Sequence, residues 1–226
     1  MIDVDTDGDV WIVHMRDGEI RFSRSWLTEF SAALDRVAAG DVPLALVTTG
    51  AGKFYSNGLD LDWLAKAGSE GTGFLADVHR LFGRMLAFPA VTVAAVNGHA
   101  FAAGAMLATA HDFVIMQEEH GYWCLPEADL GLPLTPAMYA VIATKLPRRT
   151  AQEAILTGRR YGGLDALAAG IAHRTAPSDQ EVLADAVLLA KALAGKDRRA
   201  LIAHKQLLYG EAISICATGL PAPGGE

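Results

Sequence analysis

Segments rich in apolar and β-branched residues predict strands at residues 10–15, 43–48, 91–96 and 113–117. Residues 91–96 carry apolar or β-branched side chains at every position, which indicates a strand covered on both faces. The first strand is followed by the Asp17-Gly18 turn and a short segment at residues 19–22, which indicates a hairpin or a strand and its exit.

Apolar residues that recur every three or four positions predict amphipathic helices at residues 25–39 and 74–88. Ser25 is a candidate cap for the first helix, and Pro89 ends the second. Strands and helices alternate in this half of the chain, which favours right-handed parallel crossovers. Beyond Thr135 the pattern becomes mainly helical, with helices predicted at residues 136–145, 150–156, 163–169, 180–194 and 198–209 and a short edge strand at residues 171–174.

One stretch, residues 91–114, joins a buried strand to an apolar helix through small residues. Asn97-Gly98 ends the strand, and most of residues 100–108 are alanine or glycine. Small side chains let the backbone come close to a neighbour or a ligand. A helix that begins near Ala103 has unpaired N–H groups at its start, where a developing negative charge is stabilised. The alternative is that the small residues only permit tight helix packing.

A second segment follows the same plan of buried strand, glycine-containing loop and helix start. Residues 49–58 form a turn-rich loop, and the helix after it carries Asp60 and Asp62 in its first turn. Because both segments place a loop before a helix, they could bring two backbone N–H donors together. First-turn aspartates cap helices more often than they bind a cation, so no metal site is expected.

Composition limits the expected partners and location. The chain has 226 residues, 51% hydrophobic residues and a net charge of −7, without a basic run, so neither nucleic acid nor a membrane is an expected partner. The N-terminus lacks signal-peptide features and the C-terminal PAPGGE is not a peroxisomal signal, which predicts a cytoplasmic protein. Cys124 and Cys216 have neither metal nor disulfide spacing and are expected to be packed thiols.

Four motifs in order give the chain a resemblance to the crotonase superfamily, the enoyl-CoA hydratases and isomerases, across residues 4–210. They read KFYSNGLDL, AAVNGHAFAAGAMLATAHDFVI, LPEADLGLPL and TGRRYGGLDALAAGIAHRTAP. The resemblance implies an α/β fold in which a crotonase-like spiral of ββα turns forms two near-perpendicular sheets. It also implies a spiral core with the oxyanion hole at residues 1–175 and a helical region for oligomerisation and active-site cover at residues 176–226. The expected assembly is a homotrimer or a dimer of trimers.

The resemblance implies an acyl-CoA ligand whose thioester oxygen is held by two backbone N–H groups. Carried over by motif, these groups belong to Leu59 and Ala103. Coenzyme A is then part of the substrate, and no separate cofactor is expected. The other residues implied in substrate binding are Ser56, Asn57, Gly58, Asp60, Leu61, Ala102, Gly104, Met106 and Leu132.

The acidic residues distinguish between the reactions of the superfamily. Its hydratases use two glutamates, one on the central helix and one on the later loop, whereas this chain has Met106 and Glu127 at these positions. Methionine cannot transfer a proton, but one carboxylate can remove a proton from C2 of a 3-enoyl-CoA and return one at C4. The segments YSNGLDLDW, NGHAFAAG and EADLGLP look most like those of the plant-type Δ3,Δ2-enoyl-CoA isomerases. This resemblance implies that Glu127 is the base, and an apolar pocket would raise its pKa.

Other interpretations stay open at this point. The same oxyanion hole could serve a hydratase, a thioester hydrolase or a decarboxylase, and a chain without the helix glutamate could be a non-catalytic CoA-binding subunit. Lys53, Arg21 and Lys205 are candidate partners for the CoA phosphates. Candidates for the lining of an acyl tunnel are Trp63, Phe74, Leu75, Phe82, Met106 and Tyr122.

Overall fold

A computed structural model describes residues 1–16, 18–40 and 44–218 of the chain. After β1 (Ile2–Asp7), the first of several strand–strand–helix turns comprises β2 (Val10–Met15), β3 (Arg21–Phe22) and α1 (Arg24–Ala38). The second comprises β4 (Ala45–Thr49), β5 (Phe54–Ser56), β6 (Gly58–Leu59), α2 (Leu61–Leu64) and α3 (Ser69–Leu86). The third comprises β7 (Val91–Val96), β8 (His99–Phe101) and α4 (Ala103–Thr109), and the next β9 (Phe113–Gln117), β10 (Trp123–Cys124) and α5 (Pro136–Lys145). The remaining elements are α6 (Arg148–Thr157), α7 (Gly163–Ala168), β11 (Arg174–Ala176), α8 (Asp179–Leu193) and α9 (Arg198–Thr218).

The longer strand of each turn lies in one six-stranded sheet, in the order β1-β2-β4-β7-β9-β11. All of its neighbours are parallel except β1 and β2, as expected when a crossover joins successive strands. The shorter strands form a three-stranded sheet, β10-β8-β5, and a two-stranded sheet, β3-β6. Each turn thus adds one strand to the large sheet and one or two short strands to the small sheets, which confirms the predicted crotonase-like spiral.

Helices cover the large sheet on both faces, as the apolar sequence of β7 predicts. Val93 and Ala95 pack in a cluster with Val182 of α8, on one side of the sheet. Ala94 and Val96 point to the other side and belong to the larger core that contains α1, α3 and α4. All six residues of β7 are buried, so the strand is held in place from both sides, and the Asn97-Gly98 segment after it leads towards the cavity described below.

The pairing of the N-terminal strands distinguishes between the two interpretations of residues 10–22. The hairpin is formed by β1 and β2, which pair antiparallel from Ile2 opposite Met15 to Asp7 opposite Val10. In β3, Phe22 lies opposite Leu59 of β6, in a parallel pair. Of the two interpretations of residues 10–22, the strand and its exit is confirmed and the hairpin is wrong, because β3 pairs with a strand that is distant in sequence and that no local turn signal reveals.

Lys205 ties α9 to the spiral core. Its ammonium group donates to the Asp112 carboxylate and to the Ala90 carbonyl oxygen, each at 2.7 Å, and the residue is only 4% exposed. The Asp112 carboxylate also accepts a hydrogen bond from the Thr92 N–H at 2.8 Å. The interpretation of Lys205 as a partner for CoA phosphates is wrong, because its charge is buried and already paired.

Most predicted helices are present, with differences at their ends. Helix α3 begins at Ser69 and α9 continues to Thr218, beyond the predicted limits, because glycine and polar residues at these ends interrupt the apolar pattern. The edge strand is Arg174–Ala176 rather than residues 171–174. The division of the chain after residue 175 stays a prediction.

Several sequence predictions concern residues outside the described ranges. These are Asp17 of the predicted turn, the first residue of the strand predicted at residues 43–48, and residues 219–226. Cys124 and Cys216 are buried free thiols, as predicted. Within the described ranges, no helix has both the length and the apolar character needed to cross a membrane.

Candidate active site

A cavity of about 520 Å³ lies between the loop after β10, the start of α4 and helices α2, α3 and α5. Seven of the residues that the sequence implies in catalysis or substrate binding line it: Asn57, Leu59, Leu61, Ala102, Ala103, Glu127 and Leu132. The others do not line it: Ser56, Gly58, Asp60, Gly104 and Met106. The two strand–loop–helix segments therefore do converge on one cavity.

Two backbone N–H groups lie on adjoining segments of the cavity wall. A Cβ atom on Gly58 would be 3.0 Å from the Ala103 nitrogen, so the residue before Leu59 touches the start of α4. The Asp60 N–H donates to the Phe22 carbonyl oxygen at 3.2 Å, and successive N–H groups of an extended strand point in opposite directions. The Leu59 N–H therefore points away from β3, and the Ala103 N–H, at the first position of a helix, has no acceptor within that helix.

Glycines allow these segments to approach each other. Gly58 has φ +81°, and a Cβ atom there would lie 2.8 Å from the Phe101 carbonyl oxygen. A Cβ atom on Gly104 would lie 2.4 Å from the Ser56 carbonyl oxygen. Ala102 has φ +50°, a backbone region that costs a residue with a side chain about 1–3 kcal/mol. The close contacts around Ala102 thus hold a strained backbone at the cavity wall.

Ser56 and Asp60 fix the loop that carries Leu59. The buried Ser56 hydroxyl donates to the Ile20 carbonyl oxygen at 2.7 Å and accepts from the Gly58 N–H at 3.1 Å. Asp60 caps α2 by accepting a hydrogen bond from the Trp63 N–H at 3.1 Å. Both side chains therefore hold the backbone in place, and neither lines the cavity.

Glu127 is buried in the wall of the cavity, with 9% of its surface exposed. The loop around it is closed by two backbone hydrogen bonds, from the Leu132 N–H to the Glu127 carbonyl oxygen at 2.9 Å and from the Leu130 N–H to the Pro126 carbonyl oxygen at 3.1 Å. The Glu127 Oε2 atom has no hydrogen-bond partner among the described residues. Burial raises the pKa of the carboxyl to about 7, which suits a group that takes and returns a proton near neutral pH.

The cavity offers one buried carboxyl in the part of the chain that the structure describes. Met106 is fully buried in α4, behind the wall, so the position of the hydratases' first glutamate contributes no polar atom. The other carboxylate on the lining, among the same residues, is that of Asp62, whose side chain is 86% exposed and 3.5 Å from Arg21. A mechanism that needs two buried carboxylates therefore has only one here.

The apolar wall differs from the tunnel that the sequence suggests. Leu75 lines the cavity, but Trp63 and Phe74 pack edge to face against each other at 5.1 Å, and Phe82 is buried in the core. Tyr122 is 42% exposed and also lies outside the lining. Periodicity identifies the buried face of a helix but not which buried side chains border a cavity. The apolar residues that do border it, besides Leu75, include Leu61, Leu64, Leu130, Leu132, Pro133 and Met138.

Two arginines line the cavity, of which the sequence indicated one. Arg21 is there, as proposed, and pairs with Glu19 at 2.7 Å. Lys53 is exposed and lies outside the lining. Arg160 also lines the cavity. The sequence did not indicate it, because its motif, TGRRYGG, contains two adjacent arginines and does not show which of them faces inward.

Known proteins resemble the chain over most of its length. Residues 10–213 match the family model for enoyl-CoA hydratase/isomerase. Enoyl-CoA delta isomerase 2, peroxisomal, from Arabidopsis thaliana is 33% identical over 207 residues, which are 87% of this chain and 86% of that protein. Enoyl-CoA delta isomerase 3 from the same plant is 32% identical over equal shares. A Mycobacterium tuberculosis structure has a TM-score of 0.90 at 26% identity, over 96% of this chain and 95% of that one. That mycobacterial protein has been called both an enoyl-CoA isomerase and a probable enoyl-CoA hydratase.

Proposed function

The chain belongs to the enoyl-CoA hydratase/isomerase family, and we propose that it is an isomerase that moves the double bond of a 3-enoyl-CoA thioester to the conjugated 2-position. The observation that carries this proposal is that, among the described residues, Glu127 provides the one buried carboxyl on the cavity wall that also presents Leu59 and Ala103. The similarity to the Arabidopsis delta isomerases supports the same reaction.

The proposed reaction uses the cavity groups in a fixed order. The thioester oxygen accepts hydrogen bonds from the Leu59 and Ala103 N–H groups. Glu127 removes a proton from C2, and the electron pair moves onto the thioester to give a dienolate. One oxyanion donor of this kind contributes about 3–4 kcal/mol to transition-state stabilisation in a measured enzyme. The protonated Glu127 then returns the proton to C4, which leaves the double bond between C2 and C3.

Two substrates separate this function from its alternatives. With trans-3-hexenoyl-CoA, we expect the absorbance of a conjugated thioester to appear, and a product of unchanged mass. With crotonyl-CoA, we expect no added water, because hydration needs a second proton-transfer group in place of Met106. Hydration of crotonyl-CoA would contradict the proposal, and release of free CoA thiol would indicate a hydrolase. Binding of CoA without any turnover would indicate the non-catalytic subunit.

The pH dependence of isomerisation should report the buried carboxyl. Because Glu127 must be ionised to accept a proton and its pKa is raised to about 7, kcat/KM is expected to fall as the pH drops below 7 and to level off above it. The expected slope in the acidic range is about tenfold per pH unit. The measurement is initial rates with trans-3-hexenoyl-CoA in buffers of constant ionic strength. Circular dichroism over the same range checks that the fold is intact, and a flat profile down to about pH 5 would exclude Glu127 as the base.

Cofactor use, assembly and location are proposed alongside the reaction. Coenzyme A enters as part of the substrate, and we propose no separate cofactor. The homotrimer or dimer of trimers stays a prediction, as does the cytoplasmic location. Exposed apolar residues on α8 and α9, namely Leu188, Ile202, Leu207 and Leu208, are available to an assembly of this kind.

A further inference from the structure

Arg160 is a cation on the cavity wall that no described carboxylate neutralises. Its guanidinium carbon lies 5.7 Å from the centre of the Phe101 ring, over the face of the ring. Neither a carboxylate nor a hydrogen-bond acceptor lies within bonding distance of it among residues 1–16, 18–40 and 44–218. The neighbouring arginines are paired, Arg21 with Glu19 at 2.7 Å and Arg159 with Glu153 at 3.1 Å. Arg160 therefore has its hydrogen-bond donors free for a ligand.

The backbone fixes Arg160 beside the candidate oxyanion site. The residue after it, Tyr161, exchanges two backbone hydrogen bonds with Trp123 of β10, each at 2.9 Å. In the next strand pair, Cys124 of β10 lies opposite Phe101 of β8. The Cys124 carbonyl oxygen accepts from the Ala102 N–H at 3.0 Å. The same short sheet thus positions Arg160, Phe101 and the residue before the Ala103 N–H.

The charge of Arg160 contrasts with the apolar side chains elsewhere on the cavity wall. There, α2, α3 and α5 contribute Leu64, Leu75 and Met138, which offer only apolar surface. A guanidinium presents paired N–H donors that match the oxygens of a carboxylate or a phosphate. The cation–π contact with the Phe101 ring holds the guanidinium group at this part of the wall before the ligand arrives. The cavity therefore combines apolar surface with a cationic group, Arg160, that is available to bind an anion.

We propose that Arg160 binds an anionic group of the ligand whose thioester lies at Leu59 and Ala103. The proposal rests on the proposed function for the position of the thioester. The anionic group is either a phosphate of coenzyme A or a carboxylate carried by the acyl chain, since both offer the same oxygen chemistry to the guanidinium. Arg160 thereby determines affinity for the charged end of the ligand and leaves the proton transfer at Glu127 unaffected.

The test compares Arg160→Gln with Arg159→Gln, which removes the same charge from the adjacent residue outside the cavity. Four ligands are used: trans-3-hexenoyl-CoA, the corresponding pantetheine thioester without phosphates, and both thioesters of trans-3-hexenedioic acid with its free carboxylate. For at least one ligand, Arg160→Gln is expected to raise KM by about 10- to 100-fold with kcat nearly unchanged, the usual effect of losing a charge-assisted hydrogen bond. Arg159→Gln is expected to change KM less than about twofold, because a surface ion pair contributes little. Arg160→Lys should recover part of the affinity, since it keeps the charge but loses the fork of donors.

The pattern over the four ligands identifies the source of the anion. A loss with both CoA thioesters and with neither pantetheine thioester assigns Arg160 to a phosphate. A loss with the hexenedioic pantetheine thioester, and not with the hexenoyl one, assigns it to an acyl carboxylate. If Arg160→Gln binds and turns over all four ligands like the wild type, the proposal is overturned.

Calorimetry with CoA and with the hexenedioic pantetheine thioester keeps this test separate from the proposed function. A wild-type protein that isomerises none of the ligands, but loses affinity in calorimetry on Arg160→Gln, would overturn the isomerase proposal and support anion binding at Arg160. A wild-type protein that isomerises trans-3-hexenoyl-CoA, with equal affinities in both proteins for every ligand, would overturn only the role of Arg160.

Discussion

Replacement of Glu127 by Gln is expected to lower kcat for trans-3-hexenoyl-CoA by about 10²- to 10⁴-fold, the usual contribution of a positioned acid–base group. Glutamine has the same shape but cannot accept the proton from C2. KM should stay nearly constant, because the apolar wall and the Leu59 and Ala103 N–H groups are unchanged. Stopped-flow absorbance of the conjugated thioester, at about pH 8 where Glu127 is ionised, measures the effect.

A stability measurement separates this loss from misfolding. Burial raises the pKa of Glu127 from 4.5 to about 7, so its stabilising contribution is complete below about pH 4.5 and is lost as the pH rises through 7. Glutamine has no such pH-dependent loss, and the variant should therefore be at least as stable as the wild type at about pH 8. Asp129→Asn is the matched control, since Asp129 lies in the same loop, is exposed and does not line the cavity. A Glu127→Gln variant that keeps most of the wild-type kcat would show that another group transfers the proton.

The strands and helices that the sequence predicts correctly are those whose pattern is local. Strand β7 is apolar throughout, and its burial on both faces follows directly from that composition. The pairing of β3 with β6 depends on residues that are far apart in sequence, such as Phe22 and Leu59, and no periodicity encodes it. Strand β1 alternates apolar with acidic residues at an exposed edge of the sheet, which is a weak signal for a strand.

The candidate site shows the same difference between local and spatial information. The motifs identify Leu59, Ala103 and Glu127, because the backbone geometry that presents each of them is encoded within a few residues, and the structure brings all three to one cavity. The motifs do not show whether Met106 and Arg160 line the cavity, because this depends on how α4 and the segment after α6 pack. A motif names both residues in the chain but does not give their orientation.

Gly58→Ala is expected to reduce kcat by about 10²- to 10³-fold, the effect of losing one oxyanion donor. The added Cβ atom would lie 2.8 Å from the Phe101 carbonyl oxygen and 3.0 Å from the Ala103 nitrogen, so the two segments must move apart. That movement separates the Leu59 and Ala103 N–H groups, which we propose to stabilise the dienolate together. The measurement is kcat with trans-3-hexenoyl-CoA, together with thermal unfolding to confirm that the variant is folded.

Gly52→Ala provides the matched control for backbone strain. Gly52 has φ +62°, comparable with φ +81° at Gly58, but a Cβ atom there would meet nothing within 4 Å. Both variants place a side chain on a left-handed backbone, which costs about 1–2 kcal/mol of stability, and only Gly58→Ala adds a clash at the cavity wall. If both variants remain folded at the assay temperature but only Gly58→Ala loses turnover, the loss arises from the displaced N–H groups. If Gly58→Ala retains wild-type kcat, the spacing of Leu59 and Ala103 does not control the reaction, and the oxyanion role proposed for them is wrong.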